Sequence, residues 1–147
     1  KPGSRRRSVM NPKELADYLC ERLIAEGFTV QRYDAYKTDS IYLKLDFGVC
    51  NSIRISDHPG KRYLKYRYNI GPFVKEYRYE NKRGLPRLYF CQDQVDVLIE
   101  QILRDRKSKL KRYGTDRYQK YAEENRVKNS QRKGFWQQAW IVRKEEI

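Results

Sequence analysis

Side chains that could bind phosphates and bases are concentrated in two parts of the chain. Between Lys61 and Tyr89 there are nine basic residues, two acidic residues and six tyrosines. A second block, Arg104–Arg112, holds six basic residues and one acidic residue. Lysine and arginine displace counterions from phosphates, and tyrosine rings stack on bases or sugars. The composition therefore predicts a nucleic-acid-binding protein, with the type of nucleic acid left open.

The formal charge of +14 is segregated along the chain. Residues 11–60 hold six basic and eight acidic side chains, and residues 91–103 hold three acidic and no basic ones. The alternative explanation of this charge pattern is solubility, because exposed cations on a strand prevent the sheet edges of two molecules from pairing. Tyrosine, in turn, is common in strands whatever their function. Solubility alone does not explain why residues 61–75 contain no acid. The pattern therefore favours a surface that binds a polyanion.

Histidine and cysteine are sparse. His58 is the one histidine and lies in a turn, Asp57–Gly60, while Cys20, Cys50 and Cys91 are far apart in apolar patterns. Zinc sites need several such ligands at short spacing. An odd number of isolated cysteines is typical of buried thiols in a reducing compartment. We therefore expect no metal, no cofactor and a cytoplasmic location.

The carboxylates offer little support for catalysis. Asp39, Asp46 and Asp57 lie near predicted strands, but residues 40–60 contain no Glu-x-Lys tripeptide of the kind found in metal-dependent nucleases. Turn capping is the favoured role of these aspartates. The sequence has no glycine-rich phosphate loop and no Gly-x-Ser-x-Gly motif. We expect no enzymatic activity, and convergence of Asp39, Asp46 and Glu76 in space stays open.

The chain divides into three predicted parts. Residues 1–10 are either a basic tail or a remnant of cloning, since Gly3-Ser4 resembles a linker and Arg5–Val9 resembles a kinase phosphorylation tag. Residues 11–112 are the core domain, and residues 113–147 are a basic extension. No stretch reaches the roughly 18 consecutive apolar residues of a membrane span, so we expect no contact with a membrane.

Hydrophobic periodicity predicts an α+β fold. Asn11-Pro12 begins an amphipathic helix over residues 12–26, and apolar residues at Val95, Leu98, Ile99 and Ile102 mark a second helix. Between them the period changes to two, with short turns between runs. We expect one antiparallel meander of five or six strands, with both helices covering its apolar face.

Alternation along the strands also predicts which residues lie on the opposite face. We expect that face to be open and to bind phosphates and bases without reading a base sequence. The residues assigned to it are Tyr42, Lys44, Arg54, Tyr63, Lys65, Arg67, Arg78, Arg87 and Tyr89. Lys107, Lys109, Lys111 and Arg112 of the second basic block are either a phosphate track or a solvated helix end, because helix C-termini attract cations.

The extension is predicted to contain a polar helix from Thr115 to about Arg132 and then a short apolar cluster. Phe135, Trp136 and Trp140 fall at helical spacing in that cluster. Aromatic residues of this kind anchor protein contacts. We expect the cluster to dock on the main domain or on a partner.

One stretch resembles a known group of proteins. Ser52–Lys61, followed by Leu64–Ile70, is similar to small basic proteins of phages and integrative mobile elements, over residues 39–70. The resemblance implies a mobile-element context and no catalytic residues. Because some such proteins inhibit defence nucleases, it also implies the alternative function, which is an inhibitor or adaptor that binds a nucleic-acid-handling protein of the host.

Overall fold

The first helix is capped as its sequence predicts. The computed structural model describes residues 11–56, 66–69, 77–80, 86–90, 94–131 and 134–146. Helix α1 (Pro12–Ala25) begins with a capping box, in which the Glu14 N–H donates to Asn11 Oδ1 at 2.8 Å and the Asn11 N–H donates to Glu14 Oε1 at 3.0 Å. The helix is followed by Gly27 at φ 92°, which only glycine adopts freely. The predicted helix over 12–26 is confirmed.

One sheet of seven described strands forms the centre of the molecule. The strands are β1 (Val30–Asp34), β2 (Ile41–Leu45), β3 (Ser52–Ser56), β4 (Tyr66–Asn69), β5 (Tyr77–Glu80), β6 (Pro86–Phe90) and β7 (Trp140–Ile141). Their order in the sheet is β5-β6-β4-β3-β2-β1-β7. The neighbours β7, β1, β2 and β3 are antiparallel, as are β5 and β6, whereas β4 runs parallel to both β3 and β6.

The α+β class is therefore confirmed, but the predicted meander of five or six strands is wrong. The chain does not fold back as a hairpin after β3, because β4 pairs with β3 in the parallel sense. A seventh strand comes from the C-terminal extension. Period-two alternation shows which residues share a face, but the direction of each strand depends on its connections. The predicted turn at residues 57–60 lies outside the described residues.

Two helices cover one face of the sheet. Helix α2 (Val95–Tyr113) buries its predicted stripe of Val95, Leu98, Ile99 and Ile102 against apolar strand residues and α1. The two helices also contact each other. Arg22 Nη1, in the last turn of α1, lies 3.1 Å from Asp96 Oδ1 in the first turn of α2. Beyond the end of α1, Arg106 Nη1 donates to the Glu26 carbonyl at 2.9 Å.

The C-terminal part of the chain wraps around the end of the sheet. Gly114 separates α2 from helix α3 (Thr115–Gln131), which is followed by a four-residue helix α4 (Phe135–Gln138), by β7 and by a 3-10 turn, Lys144–Glu146. Helix α3 contacts the 3-10 turn Asp46–Gly48, which follows β2, and α4 contacts β1. The extension therefore reaches the sheet face opposite α1 and α2. None of the described helices has the length and apolarity needed to cross a membrane.

Candidate nucleic-acid interface

A row of aromatic and cationic positions crosses the sheet. The backbone register pairs Tyr33 with Tyr42, Tyr42 with Arg54, Arg54 with Arg67, Arg67 with Tyr89, and Tyr89 with Tyr77. Register partners on adjacent strands share a face. Since their strand neighbours Leu43, Ile53 and Leu88 belong to the helix-covered core, this row lies on the opposite face. We call it the tyrosine–arginine row.

The predicted openness of this face is wrong around β2 and β3. Tyr42, Lys44 and Arg54 are only 5%, 9% and 6% exposed. Trp136 of α4 lies over Tyr42 and Lys44, with its ring edge-on to Tyr42 at 6.4 Å between centroids and its centroid 4.3 Å from Lys44 Nζ. Sequence periodicity could not predict that these residues are covered, because Trp136 lies more than 80 positions further along the chain.

The remaining predicted sheet residues fall into three groups. Tyr63 and Lys65 lie outside the described residues. Arg67 and Tyr89 occupy the tyrosine–arginine row, and Arg87 pairs with Tyr79 on the same side. Arg78 pairs with Leu88, a core residue, so it occupies a helix-side position and not the side predicted for it.

A buried polar cluster fastens the extension to the sheet. Asp46 is 6% exposed and accepts hydrogen bonds from the Thr29 N–H at 2.9 Å and from the Tyr118 hydroxyl of α3. Arg106 Nε lies 3.5 Å from Asp46 Oδ2, and its guanidinium stacks on Phe28 at 4.2 Å. Asp46, Tyr118 and Arg106 thus connect β2, α3 and α2, and we call them the clasp.

The backbone at the clasp is strained. Asp46, Phe47 and Gly48 have φ of 51°, 56° and 94°, and Asn51 has φ of 74°. Non-glycine residues in this region cost free energy and persist only where their surroundings impose them. Here the clasp imposes the turn, because it fixes the Asp46 carboxylate between the Thr29 amide and the Tyr118 hydroxyl.

A second buried pair lies beneath α2. The Tyr66 hydroxyl donates to Asp105, which also accepts from Gln101 Nε2 at 3.1 Å. Burial, and then the hydrogen bond to Asp105, raises the pKa of Tyr66. Burial likewise raises the pKa of the nearby Cys50 thiol to about 11. At neutral pH this thiol is protonated and enclosed, which is the environment of a structural cysteine and not of a nucleophile.

The clasp and this pair do not form a reaction centre. Asp46, Cys50, Tyr66 and Tyr118 are all less than 9% exposed, so a substrate has no access to them. Among the described residues, no group of three or more histidine, cysteine, aspartate or glutamate side chains could hold a metal ion. The cluster is therefore best understood as the device that positions α2 and α3.

The exposed cations lie where α2 turns into α3. Lys107, Lys111 and Arg112 of the predicted block are exposed, and Lys120 of α3 is exposed as well. Lys109 differs, since it is half-buried and its Nζ donates to the Val49 carbonyl at 2.6 Å. Of the four cations predicted to bind nucleic acid in this block, three therefore face solvent and Lys109 holds the β2–β3 connection.

Two tyrosines lie among these cations. Tyr113 and Tyr121 are half-buried and contact each other edge-to-face, with centroids 5.2 Å apart at 90°. The Arg112 guanidinium lies 5.9 Å from the Tyr113 ring. We define the helical elbow as Lys107, Lys111, Arg112, Tyr113, Lys120 and Tyr121. Sequence reasoning missed Tyr113, Lys120 and Tyr121, although Tyr113-Gly114 directly after a basic run marks the turn.

The predicted partner anchors have different environments. Trp136 faces the sheet, whereas Trp140 is 43% exposed on β7, where Arg32 lies 5.8 Å from its ring. Phe135 begins α4, and its side chain lies outside the described part of the structure. Trp136 and Trp140 therefore do not form one continuous anchor.

Comparison of the chain with family models, with curated proteins and with solved structures gave no match in any of the three.

Proposed function

We propose that this protein binds nucleic acid, with the helical elbow as its solvent-facing contact surface. The observation that carries the proposal is the set of four exposed cations on the two helices that meet at Gly114, with Tyr113 and Tyr121 in contact at the same turn. Within the described part of the chain, none of these four cations forms an ion pair with an acid. They are therefore available to phosphates.

A purely structural role explains these cations less well. The end of α2 is already capped by Arg117, whose guanidinium donates to the carbonyls of Tyr113 at 2.7 Å and Arg112 at 3.2 Å. Arg106 and Lys109 also have backbone carbonyl partners. Lys107 and Lys111 add little to this capping, because the helix-dipole contribution of an exposed charge is small and screened by salt.

The spacing of the cations suits a phosphate backbone. Lys107 and Lys111 are separated by one helical turn, which is about 6 Å along the helix axis. Phosphates of one strand recur about every 3.4 Å of axis, so two cations about 6 Å apart can contact phosphates roughly two nucleotides apart. Tyr113 and Tyr121 supply partly exposed rings beside the cations, and such rings stack on bases irrespective of sequence.

The charge distribution would orient a polyanion toward the elbow. Helix α1 exposes Glu14, Asp17, Glu21 and Glu26, so the surface of the first helix repels phosphate. The cations of the second basic block lie beyond the end of α1, since Arg106 contacts the carbonyls of Glu26 and Gly27. A field of this kind steers association as well as adding affinity.

The test compares two triple variants that remove the same charge. Lys107→Ala/Lys111→Ala/Arg112→Ala removes three elbow cations, and Lys13→Ala/Lys37→Ala/Lys144→Ala removes three exposed cations elsewhere. With labelled single- and double-stranded DNA and RNA, we expect the elbow variant to bind roughly a hundredfold more weakly at about 0.1 M salt. Equal losses of affinity in both variants would mean that binding depends on the total net charge of the protein and not on the elbow.

A second candidate function rests on the exposed edge of the sheet. Trp140 and Ile141 are 43% and 48% exposed on β7, the outermost strand next to β1. An edge strand carrying two large apolar side chains is suited to pairing with a strand of another protein. In that case the protein would act as an adaptor or inhibitor of a nucleic-acid-handling partner, and Trp140→Ala would abolish partner capture without changing nucleic-acid affinity.

A further inference from the structure

The contact of Trp136 with the sheet resembles the way a protein holds a nucleobase. One ring face lies 4.3 Å from the Lys44 ammonium, and the ring is edge-on to Tyr42 at 80°. Arg54 lies next to them, with its guanidinium 5.5 Å from the Tyr42 ring and its Nη2 donating to Ser40 Oγ at 3.0 Å. Aromatic rings and cations are also the side chains with which proteins hold unstacked bases of single-stranded nucleic acid.

The segment that supplies this tryptophan is held by short elements. Helix α4 has four residues and no side-chain N-cap, and β7 has two residues. Gly134, immediately before α4, has φ 125°, a conformation that other residues rarely adopt. Helix α3, in contrast, has 17 residues and is fastened by the clasp. Helix α4 can therefore separate from the sheet at a lower cost than α3, while Val142, which is buried in the core, holds the chain that follows β7.

We propose that α4 is a displaceable cover, and that its Trp136 indole occupies a base-binding seat formed by Tyr42, Lys44 and Arg54. The ligand is an unstacked base of a single-stranded nucleic acid. This inference rests on the proposed function and deepens it. The seat belongs to the tyrosine–arginine row, whose register continues through Arg67 to Tyr89 and Tyr77. A strand that displaces Trp136 would therefore meet further aromatic and cationic positions along the same row.

With a cover of this kind, the apparent affinity equals the affinity of the open protein multiplied by the fraction of molecules in which the cover is open. Removing the indole should therefore tighten binding, whereas loss of an ordinary contact residue would weaken it. The loss of a desolvated cation–π contact corresponds to about tenfold in the opening equilibrium. Tighter binding by Trp136→Ala would thus identify Trp136 as a cover, and weaker binding would identify it as a direct contact.

The experiment measures binding of a labelled oligo-dT strand to three full-length proteins. We expect Trp136→Ala to bind about tenfold more tightly than wild type, and Gln137→Ala, an exposed change in the same helix, to bind as wild type does. As a second readout, in a Trp140→Phe background the remaining tryptophan emission should shift to the red when oligo-dT binds, because Trp136 becomes exposed.

The outcomes separate the cover from the proposed function. Unchanged or weaker binding by Trp136→Ala, with no emission shift on binding, would overturn the cover while leaving nucleic-acid binding intact. Absence of binding by wild type and by Trp136→Ala would overturn both proposals. Binding by Trp136→Ala alone would support the cover, since the closed cover would then be what prevents binding, and would overturn the elbow as the contact surface.

Discussion

Replacing Tyr118 by phenylalanine should destabilise the fold by an amount that the clasp determines. Tyr118 is 4% exposed, and its hydroxyl is one of the donors to the buried Asp46 carboxylate. A hydrogen bond to a charged group contributes about 1.5–3 kcal/mol, and the acceptor left behind is enclosed. Asp46 keeps the Thr29 N–H at 2.9 Å and the Arg106 guanidinium at 3.5 Å, so we expect a loss within that range and not complete unfolding.

The assay is urea denaturation of wild type, Tyr118→Phe and Tyr121→Phe. Tyr121 is half-buried and forms no described hydrogen bond through its hydroxyl, so its substitution is the same chemical change without the lost contact. Tyr118→Phe should lower the midpoint at an unchanged m value, and its thermal midpoint should fall by roughly 3–12 °C. A Tyr118→Phe midpoint equal to that of Tyr121→Phe would refute the clasp as the fastening of α3.

Three further predictions concern buried groups. Burial and a hydrogen bond to a carboxylate raise the pKa of Tyr66 and of Tyr118, so both stay neutral in the folded chain, whereas in the unfolded chain they ionise near pH 10. The free energy of unfolding should therefore fall as pH rises above about 10. A free energy of unfolding that does not change with pH in this range would contradict the prediction. The Cys50 thiol, with its pKa raised to about 11, should react with iodoacetamide at about pH 8 only as fast as the protein opens, measured in a Cys91→Ser background; rapid labelling would show that it is accessible. Gly48 has φ 94°, so Gly48→Ala should lower the free energy of unfolding, measured by urea denaturation, by about 1–2 kcal/mol. An unchanged free energy of unfolding would mean that the turn can relax.

Local features of the fold were predictable because local rules determine them. The capping box at Asn11 and Glu14 identified the start of α1, and the stripe from Val95 to Ile102 identified the buried face of α2. Period-two alternation also identified correctly which residues of β2 and β3 face the helices, as Leu43 and Ile53 show, but it placed Arg78 of β5 on the wrong side. These features depend on contacts between residues close in the chain or on simple burial of one face.

Features that depend on long connections were not predictable. The parallel pairing of β3 with β4 depends on the path of the chain between them, and alternation carries no information about direction. Burial of Lys44 depends on Trp136, which lies more than 90 residues further along. The role of Asp46 in fastening α3 was missed for the same reason, because its partner Tyr118 is 72 positions away.

A salt titration of nucleic-acid binding tests the central claim most directly. If Lys107, Lys111, Arg112 and Lys120 each neutralise a phosphate of duplex DNA, then a plot of log affinity against log salt should be linear with a slope of about −3.6 or steeper, since each contact contributes about −0.9. In Lys107→Ala/Lys111→Ala/Arg112→Ala the slope should be shallower by about 2.7. A slope that is the same in both proteins, or an affinity that does not change with salt, would contradict the proposal that the elbow binds nucleic acid.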